Sequence, residues 1–166
     1  MLKKQLQKLL STRIMFLDGA MGTMIQDENL LEDDFRGKKF KNFDHELKGN
    51  NDLLNITQPE LIKNIHKKFL LAGSDFIETN TFNSNSISQA DYSLQKKAYE
   101  LNFQGAKIAK EAIKDTKKKA YVIGAIGPTN KTASLSPDVN DPSQRNIYFS
   151  ELVKSYRESI DGLIDG

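Results

Sequence analysis

The chain has 166 residues, 38% hydrophobic and 28% charged, with 24 Lys plus Arg against 22 Asp plus Glu for a formal net charge of +2. That composition is ordinary for a globular protein able to bury a core and argues against disorder, and the lysines lie scattered beside acids without the basic stripe that nucleic acid binding uses. No apolar run approaches the ~20 residues of a membrane span, Met1 to Arg13 lacks a signal-peptide core, and the absence of Cys excludes a disulfide, a thiol nucleophile and a thiolate metal site within these residues; the expected location is the cytoplasm.

In chain order, Leu2, Leu6, Leu9 and Leu10 repeat at helical spacing, and the apolar run Ile14-Met15-Phe16-Leu17 then reads as a strand that stops at Asp18-Gly19. From Gln26 to about Asn55 the sequence is polar and irregular, longer than an ordinary connection, and includes the cluster Asn50-Asn51-Asp52; such a loop is a candidate for function. Thr57-Gln58-Pro59-Glu60 has the form of a capping box with Pro in the first turn, and Leu61, Ile62, Ile65, Phe69 and Leu70 supply an apolar stripe up to a stop at Gly73. A second strand over Asp75–Thr79 opens into the polar stretch 80–86. The segment from about Gln95 to Thr116 predicts the longest helix, with Ala98, Leu101, Gly105, Ile108, Ala109 and Ala112 on one side. A third strand, Tyr121–Ile126, leads into Gly127-Pro128-Thr129-Asn130-Lys131 and a polar loop to Phe149, followed by a helix marked by Leu152, Val153, Tyr156, Ile160, Leu163 and Ile164.

Strand, loop and helix thus occur three times, which predicts an α/β fold with a parallel sheet built from right-handed crossovers. Such folds carry their chemistry at the C-terminal ends of the strands, so all three Asp-, Asn- and Thr-rich loops fall on one edge. Three strands cannot close a barrel of eight, which takes about 250 residues.

Each polar loop also has a plain structural reading. Asp18-Gly19-Ala20-Met21-Gly22 is neither a dinucleotide nor a P-loop motif, and a tight turn with Asp18 capping the next short helix accounts for it about as well as a ligand loop does. A carboxylate at a strand end backed by free N–H donors suits an α-amino acid, whose ammonium pairs with Asp18 while its carboxylate takes the amides. Glu78, followed by Thr79, Asn80 and Thr81, is either a frayed strand end or an acid held at a polar site, the latter favoured because a charge in a buried strand is costly unless paired. Lys131 meets an anionic ligand or solvent, and Asp138, Asn140 and Asp141 suit ordinary turns. His45 and His66, at unrelated positions, make no zinc site; His66 is expected at the surface or half-buried.

Several of these strings together resemble the homocysteine-binding domain of cobalamin-dependent methionine synthases. They are Phe16-Leu17-Asp18-Gly19-Ala20-Met21-Gly22-Thr23-Met24-Ile25-Gln26, Lys48-Gly49-Asn50-Asn51-Asp52-Leu53-Leu54 with Thr57-Gln58-Pro59-Glu60, Glu78-Thr79-Asn80-Thr81-Phe82-Asn83, and the loop from Gly127 through Lys131 and Pro142 to Arg145-Asn146. The likeness runs from about residue 10 to the end. The Asp-Gly-x-x-Gly turn alone indicates the wider homocysteine methyltransferase family, and the 131–145 loop resembles the cobalamin-dependent branch. One small departure is Asn85, where the family pattern leads one to expect Thr.

The resemblance implies that the chain, 1–166, is the N-terminal portion of an incomplete (β/α)8 TIM barrel, about its first three βα units, that binds L-homocysteine at the strand ends. It implies methyl transfer from methylcobalamin, carried by another module and recharged by a methyltetrahydrofolate-binding module, to a homocysteine thiolate held on zinc. The substrate-binding positions it points to are Asp18, Gly19, Ala20, Met21, Gly22, Glu78, Thr79 and Asn80, with Asp18 on the substrate ammonium, the Gly19–Gly22 turn along its backbone and Thr79 in the second strand's share of the pocket. No catalytic residue and no metal ligand is expected here, because the three zinc-binding cysteines of the family lie in the later half of the barrel and this chain has none. The chain alone is therefore expected to be inactive, to bind homocysteine very weakly and to expose apolar strand edges. Two other readings stay open: one half of a split enzyme whose partner supplies the cysteines, and a non-catalytic amino-acid-binding module.

Overall fold

The computed structural model describes residues 2–166, and the apolar stripes of the sequence mark its four longest helices. Helix α1 (Leu2–Leu10) ends where the Ser11 and Thr12 hydroxyls donate to the Lys8 and Leu9 carbonyls, each at 2.8 Å. The expected strand at Ile14–Leu17 is reduced to a single parallel bridge between Leu17 and Phe76. The Asp75 and Phe76 amides donate to the Phe16 carbonyl at 2.8 and 3.0 Å, and the Asp18 amide donates to the Phe76 carbonyl at 2.9 Å. Asp75 fixes this crossing: its buried carboxylate takes both terminal nitrogens of Arg13 and, at 2.9 Å, the Phe16 amide. With cation and amide on it, Asp75 is held down at a pKa of about 2, the Arg13 hydrogen bond being the main cause.

The segment expected to be irregular contains α2 (Met21–Asp27), α3 (Glu32–Arg36), a 3-10 turn over Asn51–Leu53 and α4 (Leu54–Thr57). Single apolar anchors organise it: Ile25, Phe35, Phe40, Leu47, Leu53 and Leu54 enter one buried cluster with Ile62, Ile65 and Leu101. Glu32 pairs with Arg36 at 2.6 Å and accepts the Leu47 and Lys48 amides at 3.0 and 2.7 Å, stitching the segment's two ends together.

Helix α5 (Pro59–Ala72) begins with Pro59 in its first turn and stops at Gly73, whose φ of 112° lets the Gly73 and Ser74 amides turn back onto the Leu70 and Phe69 carbonyls. The capping box does not form. Gln58 is the N-cap and makes no side-chain cap bond, while the Thr57 hydroxyl donates to Leu53 O at 3.3 Å as the last residue of α4. The preceding helix, which starts at Leu54, claims Thr57 first.

Strand β1 (Phe76–Glu78) pairs in parallel with β2 (Tyr121–Ile123), Ile77 opposite Val122, so the order across the sheet is Leu17, β1, β2. Between them lie α6 (Ser86–Gln89), 3-10 turns over Ala90–Tyr92 and Gln95–Lys97, and α7 (Ala98–Thr116), which buries the six residues of the expected stripe. Helix α8 (Phe149–Asp165) packs tightly on α7: a Cβ at Gly162 would stand 2.6 Å from the Tyr99 carbonyl oxygen. The architecture is α/β, helix-rich with a small parallel sheet. No helix among the described residues is long and apolar enough to cross a membrane.

Candidate functional site

The C-terminal ends of the Leu17 segment, β1 and β2 open onto a cleft of about 290 Å³. Seven of the eight residues singled out from the sequence line it: Asp18, Gly19, Met21, Gly22, Glu78, Thr79 and Asn80. Ala20 does not; it is the N-cap of α2 and faces solvent. The cleft also takes in Asn51, Asp52, Thr81, Phe82, Asn83 and Ala125.

Asp18 does not cap α2. Both its carboxylate oxygens accept the Glu78 amide at 3.1 Å, which ties the end of the first segment to the end of β1 and leaves the carboxylate half-buried at the rim. Burial pushes its pKa up to about 6, with the nearby Glu78 charge adding to the rise and the Glu78 amide opposing it. A cationic partner is the group such a carboxylate lacks. The Glu78 side chain is exposed at the strand end and so avoids the desolvation cost that a buried strand position imposes.

Thr79 and Thr81 close a ring of hydrogen bonds with Ala125. The Ala125 amide donates to Thr79 Oγ1 at 2.9 Å, the two hydroxyls lie 2.6 Å apart, and Thr81 Oγ1 donates to the Ala125 carbonyl at 2.8 Å. The ring closes only if Thr79 donates to Thr81, so both hydroxyl protons are used in fastening the loop after β1 to the loop after β2. Asn80 is committed likewise: its Nδ2 donates to Asn51 O at 2.7 Å and Asn55 Oδ1 at 3.2 Å, and Asn55 Nδ2 returns a bond to Asn80 O at 2.7 Å. Thr79 and Asn80 therefore build the wall, and Asp18 and Glu78 supply the charge on its rim.

The sequence reading passed over Asp52 as an individual residue. Only 3% exposed, it accepts the Asn83 amide at 2.9 Å and the Ser84 hydroxyl at 2.7 Å on one oxygen, and burial raises its pKa to about 6 against those two bonds. The available signal was an acid set directly before two leucines destined for the core. Gln89 Nε2 donates to Asn83 O at 3.2 Å, and Asn102 Nδ2 and Ser159 Oγ both donate to Ser84 O, so with Asp52 four side chains hold the 80–85 loop. Asn85, the departure from the expected Thr, is the N-cap of α6 and accepts the Ser88 amide at 2.8 Å.

Lys131 is exposed, and the loop beyond it makes local turns, Asn140 N donating to Asp138 Oδ1 and Ser143 N to Asp141 Oδ1. His45 is exposed with Nε2 at 2.9 Å from Asp91 O. His66 departs from expectation: it is fully buried on α5, neither ring nitrogen has a hydrogen-bond partner among the described residues, and burial depresses its pKa to about 4. Position 66 falls on the same stripe as Ile62 and Leu70, and that spacing outweighed the polarity of its neighbours Lys67 and Lys68. The residues present do not fit a zinc ion: the chain has no Cys, and among the described residues no three His, Asp or Glu groups stand close enough to hold a metal.

Fold and site together define an α/β protein with a carboxylate-rimmed cleft at the C-terminal ends of parallel strands. Residues 15–166 match the homocysteine S-methyltransferase family, and the chain belongs to that family. Two solved structures of the homocysteine methyltransferase MmuM from Escherichia coli are similar in fold. The metallated form superposes with a TM-score of 0.66 at 17% identity over 96% of this chain and 53% of its own. The oxidized form gives 0.67 at 19% identity over 96% of this chain and 52% of its own. The chain thus spans about half the length of these structures.

Proposed function

We propose that the chain is the N-terminal, amino-acid-recognising portion of an incomplete (β/α)8 barrel, about its first three βα units, in a cobalamin-dependent methionine synthase of the cytoplasm. The observation that carries this reading is the half-buried Asp18 carboxylate, tied to β1 and facing a cleft with Glu78 on its rim and a glycine turn on its floor. The substrate is L-homocysteine. Its ammonium donates to Asp18, which the added cation keeps ionised below the pKa of the empty cleft, while Glu78 adds a second negative charge at the mouth. Gly19 and Gly22 line the cleft, and a Cβ at Gly22 would project into open space while one at Gly19 would meet Phe69 at 3.5 Å, so the turn leaves room for the amino-acid backbone at Gly22. The Thr79–Thr81–Ala125 ring and the Asn80–Asn55 pair hold this arrangement in place before the substrate enters.

Zinc and methylcobalamin are assigned to segments outside these residues, in keeping with the absence of Cys, and no chemical step is carried by this chain alone. Methionine formation, assayed for the chain alone and for the chain joined to a cysteine-bearing second half of a family barrel, tests the reading. The chain alone is expected to form none and the joined protein to be active, with Asp18→Asn in the joined protein raising KM for homocysteine about tenfold or more, the loss of one charge-assisted hydrogen bond. An unchanged KM would remove Asp18 from substrate recognition.

A further inference from the structure

The chain contains three Asp-Gly pairs, Asp18-Gly19, Asp161-Gly162 and Asp165-Gly166. In any such pair the glycine has no Cβ to keep its backbone nitrogen away from the preceding carboxyl, so the conformations that bring the two together are open. We propose that Asp18, and neither of the other two, is a site of spontaneous isoaspartate formation, an ageing reaction that removes its carboxylate from the cleft.

What separates the three pairs is the amide that must attack. Gly162 is a buried interior residue of α8, where helical backbone holds its N–H on the carbonyl one turn back. The Gly166 amide donates to the Gly162 carbonyl at 3.1 Å, and the Asp165 carboxylate accepts the Tyr99 hydroxyl at 2.8 Å. The Gly19 amide donates to no group among the described residues, and Gly19 is exposed, so water reaches the pair. The Asp18 carboxyl is made electrophilic by the contact that ties it to β1. Both its oxygens share the Glu78 amide at 3.1 Å, a donor placed to stabilise the oxyanion that attack at Cγ creates. Burial, which raises the Asp18 pKa to about 6, leaves about a tenth of the carboxyl protonated at pH 7, with a hydroxyl able to depart as water.

The reaction needs no co-reactant other than water. The Gly19 nitrogen bonds to Asp18 Cγ, the Cγ hydroxyl leaves with the N–H proton as water, and a succinimide ring closes. Water then opens the ring at the carbonyl that belonged to the main chain, which leaves the backbone running through Cβ and Cγ and a carboxylate on Cα. The main chain gains one atom, so the carboxylate is carried away from the Glu78 amide and from its place on the rim.

The isomerisation is independent of the homocysteine reading; only protection by a ligand rests on that reading, because a bound ammonium keeps Asp18 ionised. The chain joined to a cysteine-bearing second half is aged at neutral pH, without ligand, with saturating L-homocysteine, and unfolded in urea for reference. Digestion with endoproteinase Asp-N, which does not cut at isoaspartate, and methyl labelling by protein isoaspartyl methyltransferase then follow each pair. In the folded, unliganded protein isoaspartate is expected to build up at Asp18 about tenfold or more faster than at Asp161 or Asp165, whose partner amides must first break a hydrogen bond, while in urea the three rates converge. Gly19→Ala, whose Cβ would meet Phe69 at an ordinary 3.5 Å, is expected to slow the reaction at Asp18 several-fold in the folded protein. Equal rates at the three pairs in the folded protein, no isoaspartate at Asp18 where urea produces it, or an unchanged rate in folded Gly19→Ala would each overturn the proposal. Isoaspartate confined to Asp18 but formed at the same rate with L-homocysteine present would uphold the isomerisation and count against the homocysteine reading.

Discussion

At the scale of single residues, the buried groups separate into those whose bonds are complete and those left wanting. His66 is the extreme case, a buried imidazole with no hydrogen-bond partner among the described residues. Its folded pKa of about 4 lies below the unfolded value near 6.5, so the unfolded chain takes up the proton first. The stability it permits is full above about pH 6.5 and is lost as pH falls toward about 4, by up to ~3 kcal/mol. Asp18 and Asp52 act with opposite sign, their raised values favouring the folded state as pH falls from about 6 to about 4. Denaturant unfolding of the chain joined to a cysteine-bearing second half, with and without His66→Leu, at several pH values isolates the histidine: the variant is expected to lack the decline between about pH 6.5 and 4, so the stability gap between the two grows as pH drops. A constant gap would contradict it. The Thr ring gives a second case, since Thr81→Val removes two of its three bonds and strands the Ala125 carbonyl, an expected loss of about 1–3 kcal/mol read by the same unfolding experiment. Asp18 was legible because it stands between a strand signal and a glycine turn; Asp52 was not, because nothing in the residues around it reveals that residues 83 and 84, more than thirty positions away, supply its donors.

At the scale of elements, the helices that carry a full apolar stripe were readable and those held by isolated anchors were not. Helices α5 and α7 bury their apolar residues at helical spacing, and α8 repeats its apolar residues at that spacing but buries Ser155, Ser159 and Gly162 in place of the expected stripe, leaving Val153, Ile160 and Ile164 exposed; α2, α3 and α4 have four to seven residues each, too few to display a period. The Ile14–Leu17 run looked like a strand by composition, but a strand is completed by its neighbours, and among the described residues it pairs on its β1 side alone. Close packing at α7 gives a test of the element interfaces. A Cβ on Gly105 would lie 2.5 Å from Thr81 Cγ2 and 3.0 Å from Asn55 Nδ2, side chains that are themselves pinned in the wall of the cleft. Gly105→Ala is therefore expected to destabilise by about 1–3 kcal/mol despite the better helix propensity of Ala, measured by chemical denaturation.

Across the whole molecule, apolar surface collects where the sheet stops. Ile14, Phe16 and Leu17 are exposed at one edge, Ile123 and Ile126 at the other, and Val153, Ile160 and Ile164 on α8. Exposed strand edges beside apolar patches template association, so the isolated chain is expected to self-associate with rising concentration and to melt without a sharp cooperative transition. Light scattering and calorimetry check both, and a sharp melt of a stable monomer would count against an incomplete barrel. The parallel order and the common edge of the three polar loops were legible from the repeated strand-loop-helix pattern.

The central claim, that the Asp18 cleft recognises the amino-acid end of homocysteine, is tested most directly by titrating L-homocysteine into the ¹⁵N-labelled chain and its Asp18→Asn variant. Weak but saturable shifts at the Gly19, Gly22 and Glu78 amides, lost in the variant, are the predicted result. Shifts that persist in Asp18→Asn, or that appear only at Ser88 and Thr129, which do not line this cleft, would contradict it.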